Sequence, residues 1–175
     1  APISYEALPI RDFKDTYIDG AEIFMLQNGI YALPLAVNPL LLYWNKDTFA
    51  TKGLVKPPAT WEELTKVTVP RVVERDFSRT VTREAVAFGE YNNIHNARHI
   101  LALLFLQAGS VMARDTGERI FVELNQSDGG QGLPPAQAAL SFFTQFSNPV
   151  HELYTWNRAI PEDRNEFLSV DLALY

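Results

Sequence analysis

Two histidines four residues apart, His95 and His99, are the residues whose type and spacing first suggest chemistry. On one helix they would share a face, at the separation of a pair of zinc ligands. A metal-dependent hydrolase built on them would take a carboxylate such as Glu90 as its partner. The ligand count argues against it: no Glu follows His95, and the remaining histidine is His151. Asn96, as a helix cap, would also leave His95 just outside the helix. The chain has no cysteine, which excludes disulfides, thiolate nucleophiles and Cys-based zinc sites. No Gly-x-Ser-x-Gly elbow occurs. Asp128-Gly129-Gly130-Gln131-Gly132 lacks the Gly-Lys-Ser/Thr ending of a phosphate loop and runs into a Pro pair, so it reads as a surface turn. The adjacent carboxylates Glu62 and Glu63 follow Thr60 and read as a helix cap rather than an acid–base pair. No catalytic set, metal site or cofactor is expected.

Binding chemistry is better supported. Tyr91, Asn92 and Asn93 fall between a predicted strand and the start of a predicted helix. In α/β domains that is where ligands sit, beyond the carboxyl ends of strands. Tyr154-Thr155-Trp156-Asn157 falls in a second connection. A Trp or Tyr there offers a flat apolar surface with a polar handle, and Asn offers a donor and an acceptor. Sugars present apolar C–H faces rimmed by hydroxyls, and that combination suits them. Two readings of Trp156 stay open: a stacking surface for ligand, or a plug in the core between elements.

The elements that would position these residues follow from apolar periodicity and punctuation. A helix is expected over 11–26, weakened by Gly20, and buried strands over 30–37 and 40–44, bent at Pro34 and Pro39. A short helix over 46–52 is closed by Gly53. Thr60 and Glu63 form a capping box, and the helix they start is expected to end near Val67 because of Pro70. An irregular connection then leads to Val81. A strand over 84–89 precedes a helix over 97–108, whose all-round apolar middle predicts burial on most sides. Further on come a strand over 119–124, a polar Gly-rich loop over 125–133 and a helix from Pro134 or Pro135 to Phe146. A short helix over 162–168 and a strand over 170–175 complete the reading.

With 175 residues, 47% hydrophobic and 21% charged, the chain is long enough for one well-buried core but short for two complete lobes. The net charge of −6 and the scattered basic residues exclude a nucleic-acid surface. The densest basic group, Arg71 to Arg83, is interleaved with Glu74 and Asp76 and reads as a solvated face. The longest dense apolar run, 100–106, is too short for a membrane span. The start, Ala-Pro-Ile-Ser, and a last strand lacking a turn or cap are expected of a processed or excised piece.

The string Tyr43-Trp44-Asn45-Lys46-Asp47 with Phe49, then Pro57-Pro58-Ala59-Thr60-Trp61-Glu62-Glu63-Leu64, resembles the family 1 extracellular solute-binding proteins of ABC importers, the maltose-binding-protein-like class. Ile30-Tyr31-Ala32-Leu33-Pro34-Leu35 before it agrees in order. So do Ala87-Phe88-Gly89, Phe105-Leu106-Gln107-Ala108-Gly109, Ala139 to Phe143, Tyr154 to Asn157 and Phe167 with Asp171-Leu172-Ala173 after it. The resemblance implies an α/β, periplasmic-binding-protein-like lobe of type II, a mixed sheet flanked by helices, incomplete at both ends. Residues 1–35 would be a remnant of a first lobe and 36–175 much of a second, with a hinge crossing over 34–38. It implies a non-enzymatic, monomeric protein, outside the cytoplasmic membrane or in the periplasm, that carries a small-molecule solute such as a sugar to ABC permease subunits. The ligand-binding residues expected are Trp156, Tyr91, Asn92, Asn93, Asn157 and, at the hinge, Asn38. A domain with an interaction role and no ligand is the further alternative.

Overall fold

The structure, a computed structural model, describes residues 1–115, 120–124 and 133–175, which fall into two compact units, Ala1–Pro39 and Leu40–Tyr175. In the first unit, helix α1 (Ile10–Thr16) is followed by a 3-10 turn, Asp19–Phe24, and a small hairpin of β1 (Met25–Leu26) and β2 (Gly29–Ile30). Phe13, Ala21 and Ile30 form its buried centre. The single helix expected over 11–26 is therefore broken, with Tyr17 and Ile18 extended. Gly20 lowers helical propensity by about 1 kcal/mol relative to Ala. The break lets Phe13 and Ala21 reach one cluster.

The buried strands expected over 30–37 and 40–44 are not formed as such. Leu33, Leu35, Val37, Leu40, Leu41 and Leu42 are all exposed, and residues 31–42 have no strand or helix. Pro34 and Pro39 cannot donate to a ladder. Among the described residues, none pairs with this stretch beyond Tyr31, whose N–H reaches Phe24 O.

In the second unit, Asn45 Oδ1 accepts from the N–H groups of Asp47 and Thr48 and starts α2 (Lys46–Thr51). Gly53, at φ 68°, follows its end. Thr60 Oγ1 accepts from Glu63 N at 3.1 Å, and the Glu63 carboxylate reaches back to Ala59 N at 2.7 Å, so the capping box forms one residue wide of the usual return. The helix does not end near Val67. It runs from α3 (Trp61–Glu63) through a π turn, Leu64–Thr68, into α4 (Val69–Val72), and so carries Pro70 within it. The widened turn, closed by Val69 N–H on Leu64 O, makes room for a proline that an ordinary turn would reject.

The next elements are β3 (Glu74–Arg75), β4 (Val81–Val86), α5 (Ala97–Gln107), β5 (Val111–Asp115), β6 (Ile120–Glu123), α6 (Pro135–Thr144), α7 (Asp163–Leu168) and β7 (Leu172–Leu174). Asp76 Oδ1 accepts from Ser78 N and Thr80 N and turns β3 back onto β4, where an irregular connection was expected. The β5 strand was not anticipated; it pairs antiparallel with the expected strand near 120–123. The loop expected over 125–133 lies outside the described residues except for its last position.

The sheet order is β3-β4-β7, with β4 and β7 parallel, and Trp44 bridges antiparallel to Leu174 on the far side of β7. Leu172, Ala173 and Leu174 are fully buried, as a strand between two neighbours and two faces must be. An aromatic cluster covers one side: Trp61 packs on Phe142 at 5.4 Å, and Phe88 on Phe146 at 5.3 Å. The indole N–H of Trp61 donates to Gln107 Oε1 at 2.7 Å and ties α3 to α5. Helix α5 itself is less enclosed than its sequence predicts. Ala97 and Leu104 are its buried residues, while Leu106 is 59% exposed.

Glu84 on β4 is a buried carboxyl whose Oε2 has no hydrogen-bond partner among the described residues. Burial first, then the neighbouring Glu166 and Asp171 carboxylates, push it up to about 7, against its own backbone N–H and Arg83. Burial raises Glu166 as well. Between its ordinary value of 4.5 and about 7, the unfolded chain releases this proton while the folded chain keeps it. Stability must therefore fall as pH rises through that window, by about 3 kcal/mol from this group. Glu84→Gln keeps the shape without the charge. Urea unfolding at pH 5 and pH 8 should show the parent losing stability between them and the variant losing clearly less.

Gly89 also limits substitution. At φ 95° an added Cβ would lie 2.6 Å from Ser147 Cβ, whereas at Gly53 it would meet nothing within 4 Å. Gly89→Ala should cost about 3 kcal/mol or more, combining backbone strain with a clash. Gly53→Ala should cost about 1 kcal/mol, from backbone strain alone. Denaturant midpoints of the two variants check this order.

Candidate functional site

Because β4 and β7 are parallel, both deliver their carboxyl ends to one edge of the sheet, the usual place for a ligand in an α/β domain. Residues 87–96 leave β4 there and enter α5. Ser147 Oγ donates to Gly89 O at 3.0 Å and holds the start of this loop against the turn after α6. Its middle is held by Asn93. The Asn93 Oδ1 accepts the indole N–H of Trp156 at 3.1 Å, and its Nδ2 donates to the carbonyls of Asn157, at 2.9 Å, and Ile160, at 2.8 Å. Its end is held by Asp163, whose carboxylate accepts from His95 N at 3.0 Å and Arg164 N at 2.8 Å. The Asp163 N–H in turn donates to Asn93 O at 3.1 Å. Burial raises the Asp163 carboxyl above its ordinary value, and the two N–H groups oppose that shift.

These ties leave a polar depression of about 370 Å³, lined by Tyr91, Asn92, His95, Arg98, His99 and Glu162 with Ile94 and Ala97 beneath. Tyr91 is 60% exposed. Glu162 Oε1 lies 3.7 Å from His95 Nδ1. Asn96 precedes α5 without making a side-chain capping bond, contrary to its expected role.

The expected ligand-binding residues separate into three groups. Tyr91 and Asn92 are exposed on the depression. Trp156 is fully buried, and so takes the second of its two readings, the core plug. Asn93 and Asn157 are directed at protein. The Asn157 Nδ2 donates to Tyr154 Oη at 2.8 Å, and its Oδ1 accepts from Ala159 N at 2.8 Å. Asn38 is an exposed residue of the first unit. His95 and His99 do line the same depression, but among the described residues no three His, Asp or Glu side chains gather as metal ligands. Arg98 and Glu162 were missed as site residues. The available signal was positional: the helix starting near 162 leads into a strand parallel to β4, so its beginning must lie beside the exit of β4.

Residues 3–163 match the family model of the bacterial extracellular solute-binding proteins. The chain belongs to this family. Its sheet and flanking helices are accordingly those of a periplasmic-binding-protein-like α/β fold. Among curated sequences, three relatives named as binding proteins are similar, from Brucella abortus strain 2308, Brucella abortus biovar 1 strain 9-941 and Brucella suis biovar 1 strain 1330. Each is 39% identical over 57 residues, which are 30% of this chain and 13% of the relative. No solved structure gave a significant match.

The loop after β4 should be only as stable as its Asn93 ties. Asn93→Ala leaves a buried indole N–H and two carbonyls without partners and should cost about 2–4 kcal/mol. Trp156→Phe removes one of those bonds and should cost less, while Tyr91→Ala should change stability by under about 0.5 kcal/mol. Chemical denaturation of the three variants tests the ranking, and an Asn93→Ala protein as stable as its parent would refute it.

Proposed function

We propose that this chain forms the recognition lobe of a carbohydrate-binding protein that serves an ABC importer. The observation carrying this reading is the exposed Tyr91 ring beside Asn92, His95 and His99, at the carboxyl edge of the sheet. A flat ring for an apolar C–H face, with amide and imidazole groups in the same depression for the hydroxyls, is an arrangement that suits a pyranose. Trp156, Asn93 and Asn157 serve as the frame that holds the loop, and Asn38 belongs to the hinge-side surface in this reading. Members of a solute-binding family bind and release without transforming their ligand, and the buried carboxylates Glu84 and Asp163 are not aimed at the depression as acid or base. The protein works outside the cytoplasmic membrane or in the periplasm and presents its solute to permease subunits.

A ligand that binds only the native state raises its melting temperature. The full-length protein should therefore melt higher with at least one mono- or oligosaccharide from a panel of neutral and acidic sugars. Tyr91→Ala should remove the gain while keeping the unliganded melting point. Trp156→Ala should instead lower the unliganded stability itself, by about 3–5 kcal/mol. A Tyr91→Ala protein that shifts as far as its parent would refute the stacking role.

A further inference from the structure

We propose that the depression selects acidic sugars, with the Arg98 guanidinium taking the carboxylate of a uronate-type ring that lies on Tyr91. The proposal rests on the carbohydrate reading above and names the substrate class within it. The chain carries a net charge of −6, yet this depression holds an exposed guanidinium, Arg98, with the imidazoles of His95 and His99 and one carboxylate, Glu162. Glu162 is also directed to one side, its Oε1 lying 3.7 Å from His95 Nδ1. Arg98 and His99 are exposed on the depression, on the first turn of α5. Arg158, also near the loop, has Nε 3.6 Å from Glu90 Oε1 and does not line the depression.

The chemistry of these groups narrows the anion. A guanidinium presents a planar fork of donors that matches a carboxylate in bidentate fashion. A dianion would double the repulsion from Glu162 along with the attraction to Arg98, so the planar fork, not the charge count, favours a carboxylate. Glu162 remains an acceptor for a ring hydroxyl, and Asn92 supplies both donor and acceptor. At about 370 Å³ the space lies at the small end of ligand pockets, suited to a single ring or a chain end. The three functions converge on one ligand: an apolar ring face on Tyr91, hydroxyls on Asn92 and Glu162, and a carboxylate on Arg98.

Calorimetric titration of the full-length protein with D-galacturonate and D-glucuronate, beside D-galactose and D-glucose, tests this at fixed salt. At least one acid should bind about tenfold or more tighter than its neutral counterpart, as expected of a charge-assisted contact. Arg98→Gln should bring that ratio close to one. The melting point of the variant, expected to equal that of the parent because Arg98 is exposed, separates lost recognition from lost fold. Neutral sugars binding as well as the acids, or an unchanged ratio in Arg98→Gln, would overturn the acidic preference and leave the carbohydrate reading standing. Binding of none of the four would overturn the uronate proposal, and no melting shift with any mono- or oligosaccharide of the wider panel would overturn the carbohydrate reading as well.

Discussion

A buried indole N–H has to find an acceptor, and in this fold Trp156 finds it in the side chain of Asn93. That demand organises the carboxyl edge of the sheet. Once its Oδ1 is held by the indole, the amide group of Asn93 faces the carbonyls of Asn157 and Ile160 and satisfies them. The loop after β4 and the connection before α7 then become one hydrogen-bonded unit. Tyr91 and Asn92, immediately before Asn93, have no such inward role and stay at the surface. The exposure of Tyr91 and Asn92 thus follows from satisfying polar groups below them.

Charge is distributed along the same sheet. Glu84, Glu166 and Asp171 lie close enough to raise the Glu84 carboxyl, beside the turn that enters β7. Arg98, His95 and His99 line the depression reached from the carboxyl end of β4. A chain with an acidic net charge therefore keeps one exposed guanidinium, Arg98, and two imidazoles at the edge where a parallel pair of strands ends. The acidic group is buried where it weakens the fold at higher pH. The basic groups are exposed where they cost little to maintain.

Local physics was legible in the sequence. Asn45 and Thr60 cap the helices that follow them, Gly53 and Gly109 stand where helices stop, and Pro135 opens α6. The ordered string from Tyr43 to Leu64 also pointed to the family that the comparison of residues 3–163 shows. Outcomes that depend on distant partners were not legible. Residues 31–42 have the composition of buried strands, but a strand needs neighbours on both edges to be buried, and composition cannot supply them. Pro70 reads as a helix stop because a regular turn cannot hold it, and only a widened turn makes the exception. The apolar middle of α5 predicts enclosure, yet the helix packs chiefly against α6 and β5 and leaves Leu106 exposed.

Trp156 shows where the limit of reading lies for the site itself. An indole is both a stacking surface and a core filler, so no local pattern separates the two roles. The deciding partner, Asn93, is 63 residues away along the chain. Its neighbours were ambiguous for the same reason: an Asn beside a Tyr could face a ligand or each other, and Asn157 and Tyr154 face each other. Once that second loop has its polar groups occupied internally, the first is the one that keeps exposed polar groups. The loop after β4 is the one left with an exposed ring and an exposed amide, with the Arg98 guanidinium beside them, and those are groups open to solvent.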